Sequence, residues 1–401
     1  MKVLLINASC GIGSTGRIVS DLYAMLRSKG HICKVAYGHG NPYSVPIDDT
    51  YRVTNKIGYY KHNFLGKLTD RAGFFSKGET RKFVKFIKIY NPDVIHLHNL
   101  HGFWINIGIL FNCLKEIHKP VIWTLHDCWA YTGHCSHYSI NKCYKWTVGC
   151  QKCEYLNVYP TSYFVDNSRE NFLQKKQLFT SIEKMIIVTP SRWLAEETRK
   201  SFLKCYPVVP IPNGIDLNVF LKKTGINRMK FGIPEGKKVL LAVSFVWNKE
   251  KGFDDLMKLN YKLDKNKYVL VMVGLDKNQI KLIPNSIIGI ERTSDINELV
   301  ELYSVADVFL NPSYQETMGM VTAEAIACGT PSIVYDQTAV PEIVEPSSGC
   351  VVKAGDVDEM INKIDYVLTL PKKQIPASIT KFEKNRQYEK YYEIYKNVIG
   401  Q

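Results

Sequence analysis

The chain has 401 residues, 45% hydrophobic and 22% charged, enough for two or three domains with large cores and too apolar for extended disorder. Its 52 Lys and Arg against 38 Asp and Glu leave a formal charge of +14, of which residues 1–185 (24 basic, 12 acidic) carry +12 and residues 186–401 (28 and 26) carry +2. No run approaches the roughly 20 apolar residues of a membrane span. Residues 1–7 are too short an apolar run for a signal peptide. The eleven cysteines, an odd count, read as reduced thiols of a cytoplasmic protein rather than a disulfide framework.

Residues 2–7 are a continuous apolar run, as a strand buried on both faces requires. A small-residue loop (8–16) follows, then a helical pattern over 17–29 with Ile18, Leu22, Met25 and Leu26 on one face and Gly30 as the stop. The next strand is 32–37, so the chain opens on a strand–helix–strand crossover of a doubly wound sheet. Buried strands are also predicted at 93–98, 121–125 and 185–188. A second series follows at 238–243, 268–274, 308–310 and 331–334, with helices over 297–306 and 321–328. Two α/β series predict two similar doubly wound domains facing a central cleft. The proline-rich stretch 206–214 reads as the linker, and 382–398 as a terminal amphipathic helix. The expected domains are 1–205 and 206–381, with 382–401 packing back on the first.

Residues 311–331 leave a strand, carry Glu316 and Gly319 in a loop, and enter a helix near Met320. Free backbone N–H groups at that helix start suit a phosphate, and Gly319 permits close approach. Two carboxylates beside a phosphate repel the ligand unless they face neutral hydroxyls, which makes sugar hydroxyls their natural partners.

The spacing Glu316-x7-Glu324, followed by Ala-x-Ala-Cys-Gly-Thr-Pro to Pro331, resembles the signature of family 4 retaining glycosyltransferases, which have the GT-B fold. Four further blocks are similar in order: the glycine loop Gly11 to Gly16, Ile211 to Asp216, Glu250-Lys251-Gly252 and Ser304 to Val308. Trp123 to Trp129 resembles bacterial members that assemble capsular, colanic-acid-like or O-antigen polysaccharide. The resemblance implies that Lys251 neutralises a donor diphosphate and that backbone N–H groups around Gly319, Met320 and Val321 hold phosphate oxygens. Glu324 binds ribose hydroxyls and Glu316 the hydroxyls of the transferred sugar. His126 matches the family's cleft histidine, and Gly13, Ser14, Thr15 and Gly16 face the donor phosphates and acceptor. No catalytic metal or cofactor is implied. The family's Arg shortly before Lys-Gly is missing in 244–251; Lys249 is the candidate second cation, without the bidentate fork of Arg.

The glycine loop is not a dinucleotide site, because Tyr37-Gly38-His39-Gly40 stands where an acidic residue is expected after the second strand. His96 and His98 share one strand face; they and His101 read first as hydrogen-bonded structural histidines, with cleft lining the alternative. His126, at a strand end beside Asp127, is suited to bond a sugar or shuttle a proton.

Cys135, Cys143, Cys150 and Cys153 place four thiols in 19 residues and close with Cys-x-x-Cys, a pattern suited to structural zinc, with His134 and His137 as spare ligands. Reduced packing thiols are the alternative. Residues 52–88 hold ten basic and two acidic residues interleaved with aromatics, which suits an anionic bilayer or RNA, with a solvated face the alternative. The resemblance favours the membrane, since acceptors of such enzymes are usually lipid-linked.

The expectation is a retaining hexosyltransferase, cytoplasmic and peripheral on the inner membrane face, moving a sugar from a nucleotide diphosphate sugar to a lipid-linked saccharide for cell-surface polysaccharide. No nucleic-acid partner is expected. The alternatives are a nucleotide-sugar 2-epimerase of the same architecture, or a basic membrane- or nucleic-acid-binding module with a degenerate donor site.

Overall fold

The computed structural model describes residues 1–42, 44–372 and 375–400. It contains two units, Met1–Pro212 with 388–400, and Asn213–Gln387.

Unit 1 is built on strands β1 (Lys2–Ser9), β2 (Ile32–His39), β3 (Thr50–Arg52), β4 (Val94–Leu97), β5 (Val121–Thr124), β6 (Met185–Thr189) and β7 (Val208–Pro210). Their spatial order is β3-β2-β1-β4-β5-β6-β7, and every pairing is parallel. The crossovers carry α1 (Gly13–Ser28), α2 (Lys56–Thr69), α3 (Lys77–Tyr90), α4 (Ile107–Ile117), α5 (Ser168–Phe179) and α6 (Arg192–Lys200). The apolar run of β1 feeds both faces at once, as a period of two dictates. Leu4 and Ile6 join the core with Phe83, Ile87 and Phe111, while Val3 and Leu5 pack with Ile18, Leu22, Tyr391 and Tyr395.

The structure corrects two expected boundaries. The division after residue 205 falls short, because Val208–Pro210 pairs with β6 as an edge strand, where the missing N–H of proline costs no ladder bond. The first helix starts at Gly13 rather than residue 17, so the glycine loop supplies its first turn, where N–H groups need no intrahelical acceptor.

Unit 2 has strands β8 (Lys238–Val243), β9 (Tyr268–Val273), β10 (Ile287–Ile290), β11 (Val308–Asn311), β12 (Ser332–Tyr335) and β13 (Gly349–Val352) in the order β10-β9-β8-β11-β12-β13. Around them run α7 (Phe253–Lys262), α8 (Lys277–Leu282), α9 (Ile296–Val305), α10 (Met320–Ala327), α11 (Val357–Leu368) and α12 (Ala377–Thr380). Leu241, Val271 and Phe309 face Val300, Tyr303 and Ile326; Leu240, Leu270 and Leu310 face Leu256, Leu259 and Ile364. The last helix, α13 (Lys384–Val398), begins among unit 2 residues and continues through unit 1 residues.

Both sheets reverse winding once, between β1 and β4 and between β8 and β11. At such a point the two crossovers leave opposite faces and open a crevice at the carboxyl ends of the strands. Among the described residues no helix is long and apolar enough to cross a membrane.

Candidate active site

In unit 2 the loops leaving β8 and β11 meet at the reversal point. Asn248 accepts from the Lys251 N–H at 3.0 Å and so caps the turn Lys249–Lys251. Gly252 sits at φ 74°, and a Cβ there would lie 2.3 Å from the Pro312 carbonyl oxygen, so only glycine lets the loops dock. The Tyr314 N–H then donates to the Glu250 carbonyl at 2.9 Å.

This docking aims Lys251 at the second loop. Its Nζ donates to Glu316 Oε1 at 2.6 Å and to the Gln315 carbonyl at 3.1 Å. Thr338 Oγ1 accepts from the Glu316 N–H at 2.9 Å, fixing the backbone behind the carboxylate. Gly319, at φ 89°, precedes α10, whose start has neither a side-chain cap nor an acidic residue in its first turn. The intrahelical ladder begins with Thr322 and Ala323 donating to the Gly319 carbonyl, so the N–H groups of Met320 and Val321 precede it. An uncapped start with a cation beside it is an anion site in electrostatic terms. Glu324 is partly exposed, and its Oε2 accepts from the buried Tyr303 hydroxyl at 2.9 Å. Thus Lys251, Gly319, Met320, Val321, Glu316 and Glu324 all lie on this loop pair and helix start. Lys249 is exposed on the same turn.

In unit 1 the loop Ser9–Gly16 is closed by the Gly11 N–H donating to the Gly16 carbonyl at 3.1 Å. A Cβ at Gly16 would stand 3.0 Å from Ser9 Oγ. Gly13, Ser14 and Thr15 form the uncapped start of α1. Asn7 ties this loop to the one after β4: its Nδ2 donates to the Ser9 carbonyl at 2.7 Å, and its Oδ1 accepts from the Asn99 N–H at 3.1 Å.

Beyond β5, His126 Nε2 lies 3.0 Å from His98 Nδ1, with the rings stacked. Burial pushes the His126 imidazole down to about 4 and holds His98 well below the usual histidine range. Both rings are therefore neutral near pH 7, and one proton sits between the facing nitrogens. His96, buried beneath them, lies 2.7 Å from the Tyr395 hydroxyl and 2.8 Å from Thr124 Oγ1. His96 is thus a structural histidine, whereas His98 positions His126. His101 Nε2 pairs with Asp127 Oδ2 at 2.5 Å. Burial alone would raise the Asp127 carboxyl, but the His101 charge and hydrogen bond outweigh it and hold it at about 2.

The model of glycosyltransferase family 4 matches residues 15–219, and that of glycosyl transferases group 1 matches residues 224–386. The chain belongs to glycosyltransferase family 4. This glycosyltransferase is 23% identical over 380 residues to the colanic acid biosynthesis glycosyl transferase WcaC of Escherichia coli strain K12, covering 90% of this chain and 89% of that one. Its fold resembles that of the Thermosynechococcus elongatus sucrose-phosphate synthase, with a TM-score of 0.70, 17% identity and coverage of 100% and 99%. Anabaena Alr3699/HepE, solved with UDP and glucose, gives a TM-score of 0.68 at 15% identity, covering 98% and 99%. Both units are thus the parallel α/β domains of a GT-B protein.

The four clustered cysteines of this glycosyltransferase line one small cavity in unit 1. Among the described residues no group of three or more His, Cys, Asp or Glu side chains is already arranged to hold a metal ion.

Sequence reasoning did not find Asn248, Thr338 or Tyr303, which orient the turn and the two glutamates. Asn248 is legible in retrospect as an N-cap three residues before Lys251; Thr338 and Tyr303 reach the site from other elements and leave no local signal. Phe245, 81% exposed just after β8, was also missed; the Arg292 guanidinium lies 5.4 Å from its ring centroid.

Proposed function

We propose that this glycosyltransferase is a retaining enzyme that moves a hexose-type sugar from a nucleotide diphosphate sugar to a lipid-linked saccharide during assembly of cell-surface polysaccharide. The observation that carries the reading is the Lys251–Glu316 pair beside the uncapped start of α10, at the reversal point of the unit 2 sheet. A diphosphate at that helix start meets the dipole and the Lys251 ammonium, which stabilise the charge that grows on it as the sugar–phosphate bond breaks. Glu316 then exchanges its lysine partner for sugar hydroxyls. Glu324, one helical turn further on, accepts from ribose hydroxyls, and the exposed Phe245 with Arg292 offers the base a stacking surface. Alr3699/HepE, of the same fold, is described with UDP and glucose, and WcaC carries colanic acid biosynthesis in its name, which supports donor class and pathway type.

His126 serves the sugar. If His98 donates from Nδ1, His126 accepts at Nε2 and keeps its own proton on Nδ1. His98 Nε2, buried without a hydrogen-bond partner, is then a bare lone pair, less costly than an orphan N–H.

A thermal-shift series with UDP-, GDP-, ADP- and dTDP-sugars tests the donor reading. One nucleotide class raises the midpoint, and NMR of the product shows the donor's anomeric configuration kept. No shift with any nucleotide sugar, or an inverted product, overturns it.

The membrane part rests on α2. Its outward side chains Ile57 (78% exposed), Tyr60 (67%), Phe64 (62%) and Leu68 (38%) follow helical spacing, among Lys56, Lys61 and Lys67. Tyr163, whose N–H donates to the Lys67 carbonyl at 2.9 Å, and Phe164 (84% exposed) extend the patch. By contrast Phe83 and Ile87 of the same basic stretch are core. Each lysine near an anionic surface contributes about 1 kcal/mol. Co-sedimentation with vesicles rich in phosphatidylglycerol is expected to fall several-fold in Phe64→Asp and in high salt; binding that ignores both rejects the membrane assignment.

A further inference from the structure

Residues 125–167 form a long connection with no strand and no α-helix, only the short turns Trp129–Tyr131 and Lys145–Thr147. Connections beyond about 15 residues without structure of their own are uncommon in compact domains. Yet this one buries Trp129, Tyr131, Tyr138 and Trp146 almost completely. Its order needs a source besides a hydrogen-bonded ladder.

Cys135, Cys143, Cys150 and Cys153 line one cavity of about 20 Å³ in this segment, together with Trp146. That is room for about one water-sized sphere. Three features shape the wall for negative sulfur. The Gly133 N–H donates to Cys150 Sγ at 3.2 Å. Glycine is required there, since a Cβ would lie 2.6 Å from Cys150 Cβ and 2.2 Å from the Ser168 carbonyl oxygen. The Trp146 indole N–H is buried without a hydrogen-bond partner. Behind the wall, buried Lys175 donates to the carbonyl of Thr132, a cavity residue, at 3.1 Å and to that of Trp129 at 2.9 Å. Two N–H donors beside four sulfurs, with a buried lysine amine behind them, are what a centre of excess negative charge needs.

We propose that Cys135, Cys143, Cys150 and Cys153 bind one zinc ion as a tetrahedral four-thiolate site that staples residues 132–167 of unit 1. This assignment stands independently of the donor reading. Thiolate ligands and a one-ion cavity select a soft tetrahedral metal. Each thiol gives up its proton to solvent as its sulfur joins the metal, so a tetrathiolate zinc centre carries two net negative charges. Zn–S bonds of about 2.3 Å require sulfurs about 3.8 Å apart. Among the described residues the four sulfurs do not already converge as a metal-holding group, so binding requires them to swing between staggered χ1 wells.

The test is elemental analysis of the full chain purified in reducing buffer without chelator. About one zinc per chain is expected, and exchange with cobalt(II) gives the visible absorption of a tetrahedral cobalt thiolate. Cys150→Ser is expected to lower bound metal several-fold, while Cys205→Ser, an exposed cysteine outside the segment, leaves it unchanged. If Cys150→Ser does not fold, the metal content and cobalt spectrum of the natural chain decide alone. Less than about a tenth of a metal per chain with no cobalt spectrum, or thiol titration showing the four cysteines as disulfides, overturns the proposal.

Discussion

Glu316→Gln and Glu324→Gln each lower kcat/KM for sugar transfer by roughly 10- to 100-fold while the thermal midpoint moves little, because each removes a charged hydrogen bond worth about 1.5–3 kcal/mol to a substrate hydroxyl. The small stability effect follows from exposure. Lys251 and Glu316 keep 29% and 20% of their side-chain surface, and ion pairs of that kind add little to folding. In Glu316→Gln, Lys251 keeps the Gln315 carbonyl and remains available to phosphate. In Glu324→Gln, the amide oxygen still accepts from the Tyr303 hydroxyl. The two variants differ in kind. A ribose contact exists before and during reaction, so Glu324→Gln raises the donor KM. A contact to the transferred sugar that tightens as its bond breaks is lost from kcat, so Glu316→Gln lowers kcat. Steady-state kinetics at varied donor concentration read both. Turnover unchanged in both variants removes the carboxylates from the mechanism, whatever the donor proves to be.

The parts of this architecture that were legible in the sequence are those written in contiguous residues. Strand β1 announces itself because its double burial needs an unbroken apolar run, and the loop from β11 into α10 because a glycine, a helix start and two spaced glutamates fall within nine consecutive residues. What was not legible is cooperative. Val208–Pro210 carries proline, which argues against a strand except at an edge, and only the sheet order reveals the edge. The Lys251–Glu316 pair joins residues far apart in sequence through a loop docking that depends on Gly252 and Pro312. The histidines divided on the same ground: alternation put His96 and His98 on one face, but the partner that makes His96 structural, Tyr395, comes from α13 at the other end of the chain. Aromatic residues in the basic stretch also divided by element, with Phe83 facing the core and Phe64 facing outward, which composition does not distinguish.

Acid weakens unit 1 selectively, because it buries histidines that cannot take a second proton. His62 accepts from the Gly73 N–H at Nε2 (3.2 Å) and lies 2.9 Å from Ser76 Oγ at Nδ1, so protonating Nε2 would break the backbone bond. His98 and His126 share one proton between facing nitrogens, and a second would set two N–H groups, one of them on an imidazolium, against each other across 3.0 Å. Burial pushes His62 and His96 down to about 3 and His126 to about 4. In the unfolded chain each titrates near 6.5. Between about pH 6.5 and 4 the unfolded state therefore binds more protons than the folded one, so stability is full above 6.5 and falls as pH drops through that window. Each group contributes about 1.4 kcal/mol per pH unit there, and together they reach on the order of 3–5 kcal/mol by about pH 5.5, a large share of the stability of an ordinary domain. Five of the six tryptophans, all but Trp247, lie in unit 1, so intrinsic fluorescence reports its unfolding. Urea midpoints by fluorescence are expected to fall sharply between about pH 7.5 and 5.5. His62→Gln, which keeps a hydrogen-bonding amide and no titrating nitrogen, makes that fall shallower. Equal midpoints at the two pH values mean that these histidines are not held neutral in the fold, and the single-proton pairing of His98 with His126 fails with them.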